Sequence, residues 1–279
     1  MPLKSTGKSP ATAGIHLPNK SGAYDAWAEF AQSFRTLSQP LAAPWGEIFE
    51  PLRAGTADEM VVVGQIGQSL DGRIATATGH SKYINGPAGL DHLHRLRSLV
   101  NAVVIGVGTA LADDPQLTVR RVAGPHPARV VIDPNGRLPP SAKVFTKDGV
   151  RRLLVTAEGT TCSLASEVEV LALPASGGRI APAAILAALA KRGLRRILIE
   201  GGADTVSSFL AAGCLDRLHV MVAPIILGAG RASFILPPIE RADQALRMPI
   251  HAHQLDDEVL FDCDLSAQRV PAGRAKIST

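Results

Sequence analysis

Four loops of this 279-residue chain combine glycine with charged or hydroxyl residues, the types that bind ligands and move protons. Each follows an apolar run, and they span residues 67–73 (GQSLDGR), 106–120 (GVGTALADDPQLTVR), 200–205 (EGGADT) and 228–231 (GAGR). Glycine lets a backbone approach a ligand closely, and a helix that begins directly after glycine exposes N–H groups that bind phosphate. The third loop therefore predicts a site for a phosphate or pyrophosphate.

The second loop adds acidic and basic side chains to its glycines. A carboxylate such as Asp113 suits sugar hydroxyls, and the guanidinium of Arg120 or Arg121 suits a phosphate because its fork donates two parallel hydrogen bonds. Structural roles fit all four loops as well: an Asp-Gly turn in the first, a solvated acidic loop in the second, a plain turn in the third and a flexible hairpin loop in the fourth. The residues alone leave these alternatives open.

Several other chemistries lack their motifs in the sequence. GVGTAL and GAGRAS have no third glycine of a dinucleotide-binding fingerprint, and a Walker A loop, a nucleophile elbow and the zinc-deaminase signature are missing. The histidine pairs 92/94 and 251/253 do not have the spacing of metal ligands, so no metal is expected. A scattered net charge of +4 and 4% aromatic residues argue against nucleic acid as a partner.

The elements that must position these loops are short strands alternating with helices from Met60 onward. The predicted strands are MVVVGQIG, NAVVIGVG, ARVVIDP, RRLLVTA, VEVLAL, RRILIEGG, RLHVMVAPIILG and EVLFDCDL. Asn85, as N-cap before Pro87, begins one helix, and Gly193 and Gly213 end two others. This alternation predicts an α/β fold with a mainly parallel, helix-covered sheet and an antiparallel edge at the C-terminal end.

Composition divides the chain into four parts. Residues 1–21 are rich in Pro, Gly, Ser and Lys and are predicted to be disordered, whereas residues 22–59 are predicted to form a helical extension packed on the main body. One domain follows over residues 60–265, and residues 266–279 form a C-terminal tail. Three separate cysteines and the lack of an apolar stretch of ~18 residues predict a cytoplasmic protein that does not bind membranes.

Six motifs follow one another between residues 60 and 265: QSLDGRIA, GHSKYI, ADDPQLTVR, VVID, ILIEGG and PIILG. Their order and intervals resemble the pyrimidine reductases of riboflavin biosynthesis, whose domain is often fused behind a zinc deaminase. The resemblance implies a dihydrofolate-reductase-like fold with helices on both faces of the sheet. It also implies NADPH as hydride donor and reduction of a ribosylamino-pyrimidine 5′-phosphate to its ribitylamino product. A homodimer is implied too, for which the strand RLHVMVAPIIL offers a long apolar edge.

By matching position, the resemblance gives roles to individual residues. Those expected to contact NADPH are Ser81, Tyr83, Thr109, Asp113, Gly201, Gly202, Ala203, Asp204 and Thr205, and those expected to contact the substrate are Arg97, Leu117, Arg120 and Glu200. Asp113 and Glu200 are the predicted catalytic residues. A proton must also reach the substrate, and Asp113, Glu200, Asp71 and a bound water are the alternative sources.

Gln65, in the first strand, departs from the family, because many deaminase-fused members carry a lysine there. Two alternatives therefore stay open: a related NADPH reductase of another pterin-like or pyrimidine metabolite, and a noncatalytic nucleotide-binding module. Whether the pyrimidine carries a 2-amino or a 2-oxo group is also open. A preference for NADPH over NADH is expected to use basic residues such as Arg73, Arg129 and Arg137, since these can pair with a 2′-phosphate.

Overall fold

The computed structural model describes residues 20–36, 41, 43, 45–55 and 57–272. Its helices are α1 (Lys20–Thr36), α2 (Trp45–Phe49), α3 (Pro87–Leu99), α4 (Val107–Asp113), α5 (Pro182–Ala190) and α6 (Ala203–Ala211). Its strands are β1 (Val61–Ser69), β2 (Arg73–Thr76), β3 (Ala102–Gly106), β4 (Ala128–Ile132), β5 (Arg152–Ala157), β6 (Val168–Leu173), β7 (Ala175–Ser176), β8 (Arg179–Ile180), β9 (Arg196–Glu200), β10 (Arg217–Ala223), β11 (Gly230–Ala232), β12 (Ile250–Leu255) and β13 (Glu258–Asp264). None of the helices in these ranges is long and apolar enough to cross a membrane.

The central sheet has the strand order β12-β13-β10-β1-β9-β3-β4-β5-β6. From β10 to β6 every neighbouring pair is parallel, whereas β13 pairs antiparallel with β10 and β12 pairs antiparallel with β13. Such strands are buried on both faces, which explains why their sequences are continuous β-branched runs without polar alternation. The predicted fold class, a mainly parallel sheet with an antiparallel C-terminal edge, is confirmed.

The expectation that the late strand RLHVMVAPIIL offers an exposed edge is wrong. β10 stops at Ala223 and lies between β1 and β13, so the sheet itself uses its backbone hydrogen bonds. The edge beyond β13 is β12, whose sequence IHAHQL is too polar to have been identified as a strand. A dimer cannot therefore form along β10.

Helices cover both faces of the sheet, as predicted. On one face, α5 and α6 contribute Ile185, Leu186, Val206 and Phe209 to a hydrophobic core. On the other, α3 and α4 pack against the sheet through residues such as Leu96, and the N-terminal extension completes that layer. Burial of two apolar faces is the main favourable contribution to the stability of such a layered fold.

The N-terminal extension contains α1 and α2. Trp27, Phe30, Trp45 and Phe49 are buried and in mutual ring contact, with the Trp27 and Trp45 centroids 5.4 Å apart. The guanidinium of Arg95, on α3, lies 5.5 Å from both tryptophan rings. The extension therefore packs on α3 as part of the body.

The two chain ends lie partly outside the described residues. Of the segment predicted to be disordered, residues 1–19 are outside them, and Lys20 and Ser21 begin α1. Of the predicted tail, residues 266–272 pack on the body: Arg269 is buried, with its Nε 3.1 Å from Asp216 Oδ2, and the N–H of Ala272 donates to Asp58 Oδ2 at 2.7 Å. Residues 273–279 are outside the described part.

One helix start differs from its prediction. The N-cap of α3 is Gly86, and the side chain of Asn85 instead donates to Glu258 Oε1 at 2.7 Å. The other carboxylate oxygen of Glu258 accepts the N–H of Gly89 at 2.7 Å, so a residue of β13 satisfies the first turn of α3. Gly213 ends α6 as predicted, with a φ of 64°.

Candidate active site

The carboxyl ends of the central parallel strands open onto a cleft of about 900 Å³. Residues predicted to bind ligands that line it are Ser81, Thr109, Asp113, Glu200, Gly201, Gly202, Ala203, Asp204 and Thr205. Beside it lies a smaller cavity of about 420 Å³, lined by the remaining predicted residues Arg97, Leu117 and Arg120, and Asp113 borders both. Ligands of open α/β sheets bind at this edge, and every predicted site residue except Tyr83 meets there.

Two helices, α4 and α6, begin at the cleft directly after glycines, and their starts contact each other. The N–H of Gly202, before α6, donates to Thr109 Oγ1 of α4 at 2.9 Å. A Cβ at Gly106, before α4, would collide with Thr205 Oγ1 of α6. No side chain of the described residues caps either helix start, so the first N–H groups are available to an anion in the cleft.

An ion pair stands at the end of β9, between the two cavities. Arg97 Nε donates to Glu200 Oε2 at 2.8 Å, and Arg97 Nη2 donates to Glu200 Oε1. Arg97 Nη1 donates to the carbonyl of Thr118 at 3.1 Å, and both charged side chains are largely buried. A bidentate pair fixes both partners, so Arg97 sets the orientation of the carboxylate that lines the cleft.

The smaller cavity is basic. Arg120 is exposed there, and Lys143 also lines it, with its Nζ 3.1 Å from Asp114 Oδ2. Sequence reasoning missed Lys143, because only the fold brings residue 143 to the 113–120 loop. The alternative Arg121 lies outside the lining of the cavity, with its Nε bonded to Asp91 Oδ1.

His94 supports the backbone of this basic cavity. Its Nδ1 accepts the N–H of Arg120 at 3.0 Å. Burial, followed by the charges of Arg97, Arg120 and Arg121, lowers the pKa of His94 to about 3. The imidazole is therefore neutral at pH 7 and fit to accept that hydrogen bond.

The structure does not bring two candidate residues into the site. The Tyr83 side chain is 88% exposed and lies outside the lining of the cleft. Asp71 accepts hydrogen bonds from Ser69 Oγ at 2.6 Å and from the N–H groups of Leu227 at 3.1 Å and Gly228 at 2.7 Å. The Ser69 bond, followed by the bond from Leu227, lowers the pKa of Asp71 to about 2, so this carboxyl holds no proton to donate at neutral pH.

The three arginines proposed for a cofactor 2′-phosphate differ in position. Arg129 is buried and bonded to Asp148, so its assignment is wrong. Arg73 donates to the carbonyl of Gly228 at 3.1 Å and lies outside the lining of the cleft. Arg137 does line the cleft, and Arg179, which sequence reasoning missed, lines it as well.

The rest of the lining includes an apolar wall that sequence reasoning also missed. Ile84, Leu90 and Leu93 form it at the beginning of α3. The sequence predicted a helix here from Asn85 and Pro87, but carried no signal of a ligand. Within the described ranges, no group of three or more His, Cys, Asp or Glu residues could hold a metal ion.

Comparison with known proteins matches most of the chain. A family model described as the RibD C-terminal domain matches residues 60–260. The chain is 33% identical over 210 residues to the 2,5-diamino-6-ribosylamino-4(3H)-pyrimidinone 5′-phosphate reductase of Methanothermobacter thermautotrophicus, a match that covers 72% of this chain and 96% of the relative. It is 37% identical over 165 residues to the riboflavin biosynthesis protein RibD of Aquifex aeolicus, covering 58% of this chain and 46% of that protein.

Among solved structures, the chain is similar to a diaminohydroxyphosphoribosylaminopyrimidine deaminase/5-amino-6-(5-phosphoribosylamino)uracil reductase from Thermotoga maritima. The TM-score is 0.63 at 27% sequence identity, and the match covers 74% of this chain and 56% of that one. The chain thus spans about half the length of the RibD proteins that it matches. It spans nearly the whole of the Methanothermobacter reductase.

Proposed function

Because the chain belongs to the RibD C-terminal domain family, we propose that it reduces a ribosylamino-pyrimidine 5′-phosphate to the ribitylamino product with hydride from NADPH. The family predicted from the six motifs is confirmed. The observation that carries the proposed reaction is the position of Glu200, held by Arg97 between the glycine-bordered cleft and the basic cavity. A noncatalytic nucleotide-binding module would need only the cleft.

The cleft fits a dinucleotide cofactor. Its volume of about 900 Å³ is in the range of small-molecule and cofactor sites. The uncapped starts of α4 and α6 suit a pyrophosphate, and a side chain at Gly106 would close the space between them. Arg137 and Arg179 are exposed arginines on its lining and suit a 2′-phosphate, which favours NADPH over NADH. When bound, the nicotinamide supplies the hydride.

The basic cavity suits the 5′-phosphate of the substrate. Arg120 has its guanidinium exposed there, with only a 3.4 Å contact to Thr118 Oγ1, so its fork is available to a phosphate. Lys143 adds a second positive charge to the lining. With the phosphate held here, the sugar would pass Asp113 and Glu200 before it reaches the cleft.

The two carboxylates contribute differently to the proposed reaction. Hydride adds to C1′ of the open-chain imine, and a proton must reach the imine nitrogen. Glu200 is fixed by Arg97 and orients the substrate by accepting hydrogen bonds from its hydroxyl and N–H groups. Asp113 is exposed where the two cavities meet, so it is the group placed to exchange a proton between water and the substrate.

A spectrophotometric assay tests the proposed function. The full chain is mixed with NADPH and with the phosphorylated 2-amino or 2-oxo pyrimidine, and the loss of NADPH absorbance is followed. We expect oxidation with at least one of the two, weaker oxidation with the dephosphorylated compounds, and a lower kcat/KM with NADH. Binding of NADPH without oxidation by either substrate would instead favour the nucleotide-binding module.

Two further expectations stay proposals. A homodimer is supported by exposed apolar side chains between the end of β10 and the start of β12, namely Ile226, Ile235, Ile239, Leu246 and Ile250. Light scattering should give twice the 29.2 kDa mass of the chain, and a monomer mass would contradict the dimer.

A cytoplasmic location is supported by Cys162, Cys214 and Cys263, which form no disulfide.

A further inference from the structure

The basic cavity depends on a segment that has no regular structure of its own. Arg97 comes from α3, whereas Leu117 and Arg120 come from residues 114–127, which contain no helix or strand. Such a segment must satisfy its backbone groups with side chains or water. Leu117 has a φ of 53°, a left-handed conformation that a leucine keeps only where its surroundings hold it. The position of Arg120 therefore depends on what holds this segment.

The first half of the segment is held by α3. Arg97 Nη1 donates to the carbonyl of Thr118 at 3.1 Å. His94 Nδ1 accepts the N–H of Arg120 itself at 3.0 Å. These two hydrogen bonds fix the backbone on the N-terminal side of the Arg120 side chain.

The second half of the segment is held by α1 of the N-terminal extension. Trp27 Nε1 donates to the carbonyl of Ala123 at 3.1 Å. At the next residue, Gly124, the backbone passes so close to α3 that a Cβ would lie 2.5 Å from the Cβ of Ser98. The carbonyl of Ser98 in turn accepts a hydrogen bond from Arg35 Nη2 at 3.0 Å. The extension therefore binds both sides of the contact between the segment and α3.

The extension also packs against the buried side of the segment. Trp27 and Phe34 are fully buried, and they belong to the same hydrophobic core as Val119 and Val122. The family model matches residues 60–260, so α1 and α2 lie outside the matched domain. An effect of the extension on the basic cavity is therefore a property of this chain and not of the matched domain.

We propose that Trp27 is a positioning residue for binding of the substrate 5′-phosphate, because it holds the segment in the shape that presents Arg120 to the phosphate. Trp27 lines neither cavity and acts through the carbonyl of Ala123, three residues beyond Arg120. Without this bond the segment gains freedom that it must lose again when the phosphate binds, so substrate affinity falls. The inference rests on the proposed function and gives the N-terminal extension a role in it.

A matched pair of tryptophans tests the inference in the full chain. Trp27→Phe keeps an aromatic ring and removes the hydrogen bond to Ala123. Trp45→Phe makes the same change where no group of the described residues bonds the indole N–H. Both ring centroids lie 5.5 Å from the guanidinium of Arg95, so the second variant controls for lost packing and lost stability.

Calorimetry measures the Kd of each variant for three ligands. For the phosphorylated pyrimidine, Trp27→Phe should raise the Kd about fivefold, the size of a lost neutral hydrogen bond, and Trp45→Phe should stay within twofold of wild type. For NADPH and for the dephosphorylated pyrimidine, both variants should stay within twofold. A purely structural role would not separate the phosphorylated from the dephosphorylated ligand.

Hydrogen exchange gives a second readout that needs neither ligand nor turnover. The amides of residues 119–124 should exchange faster in Trp27→Phe than in Trp45→Phe, whereas those at the start of α6 should not differ. If Trp27→Phe does not fold, Arg35→Leu takes its place, because this exposed side chain loses only its bond to Ser98. The same selective loss of affinity for the phosphorylated pyrimidine is expected.

Three outcomes would overturn the inference: equal effects of the two tryptophan substitutions, a Kd for the phosphorylated pyrimidine that rises less than twofold in Trp27→Phe, or a loss of affinity shared by all three ligands. A wild type that binds the phosphorylated pyrimidine without reducing it would overturn the proposed function alone. A wild type that does not bind this ligand would overturn both.

Discussion

Two polar arrays lie side by side on one face of the sheet: one lines the cleft and the basic cavity, and the other is buried among the described residues. The cleft array comprises Arg97, Glu200 and Gln65. The buried histidine array comprises His92, His219, Asp262 and Arg217. His219 Nδ1 lies 3.0 Å from His92 Nε2, and His219 Nε2 lies 3.2 Å from Asp262 Oδ1. Arg217 Nε donates to Asp262 Oδ1 at 2.9 Å. In the register of the strands, Glu200, Gln65, His219 and Asp262 form a single row.

The two arrays differ in whether a ligand can reach them, and the N-terminal extension accounts for part of this difference. The Phe49 ring stacks on His92 with centroids 5.5 Å apart, so the extension covers the histidine array with aromatic side chains. Burial and the neighbouring His219 and Arg95 charges lower the pKa of His92 well below its usual value. A cluster of histidines with an aspartate would attract a catalytic interpretation, yet these four side chains are buried away from the cleft, whereas the cleft array lines the two cavities.

The largest effect is expected from breaking the histidine array. Asp262→Asn removes the charge that faces Arg217 and leaves a buried guanidinium with only Asp264, 3.0 Å away, as its acidic partner. The free energy of unfolding should fall by about 3 kcal/mol, the lower end for a broken buried pair. Urea denaturation measures this, and kcat/KM of the folded protein should stay within a few-fold of wild type. A stable but inactive variant would place the histidine array in the reaction.

The second-largest effect is expected at the start of α6, where the cofactor pyrophosphate is proposed to bind. Gly202 has φ −66°, which any residue can adopt, so Gly202→Val should fold. Its Cβ would lie 3.2 Å from Thr109 Oγ1, and its methyl groups would cover the start of α6. NADPH affinity should fall by about 100-fold, equivalent to ~2.7 kcal/mol, in a fluorescence titration. Gly202→Ala should lose less NADPH affinity. A valine variant that binds NADPH as tightly as wild type would show that the cofactor does not bind at this turn.

Arg120→Ala tests whether the basic cavity binds the 5′-phosphate of the substrate. Loss of a charge-assisted contact to the 5′-phosphate should cost about 2 kcal/mol, a roughly thirtyfold rise in the dissociation constant of the phosphorylated substrate. The melting temperature should not change, because the Arg120 guanidinium is exposed. Arg121→Ala is the matched control, since that side chain is bonded to Asp91 outside the cavity. Equal effects of the two substitutions would contradict the assignment.

The smallest effect is a pH dependence of stability. The pKa of His94 is about 3 in the folded protein, below its usual 6.5, because of burial and the neighbouring arginines. The unfolded chain therefore binds one more proton between these values, and the free energy of unfolding should fall as pH decreases below 6.5. Each such histidine contributes about 1.4 kcal/mol per pH unit, and His92 acts in the same direction.

Denaturation of His94→Gln between pH 7 and 5 isolates one of these histidines. In this range the lowered pKa of Asp262 has no effect, since that group loses its contribution only near and below its usual 3.8. The slope should fall by about one proton relative to wild type. An unchanged slope would mean that His94 stays protonated in the folded protein.

The sequence predicted the fold well where strands are buried on both faces, because β-branched runs bounded by glycine are distinctive. It missed β12, whose polar residues pair only at the edge, and it placed an edge at β10 because neighbours in a sheet are set by long-range pairing. Asn85 was misplaced for a similar reason: its partner Glu258 comes from the far end of the domain.

The position of a residue at the cleft was predictable where it directly follows a strand, as with Glu200 and the glycines before α6. It was not predictable where a distant partner decides it. Asp71 is occupied by the 227–228 backbone and Arg129 by Asp148, whereas Lys143 reaches the basic cavity only through the fold. The partners of Glu200 and His219, which flank Gln65 in the sheet, likewise come from α3 and β13.

Transfer of hydride to C1′ of the substrate is the central claim, and isotope labelling tests it most directly. The full chain is supplied with the phosphorylated pyrimidine and with NADPH that carries deuterium at both C4 positions of the nicotinamide, and the product is examined by mass spectrometry and NMR. We predict a ribitylamino product with a single deuterium, located at C1′, and much slower formation of labelled product by Gly202→Val at NADPH concentrations near the wild-type Kd. Product without deuterium, or consumption of NADPH without a reduced pyrimidine, would contradict the account.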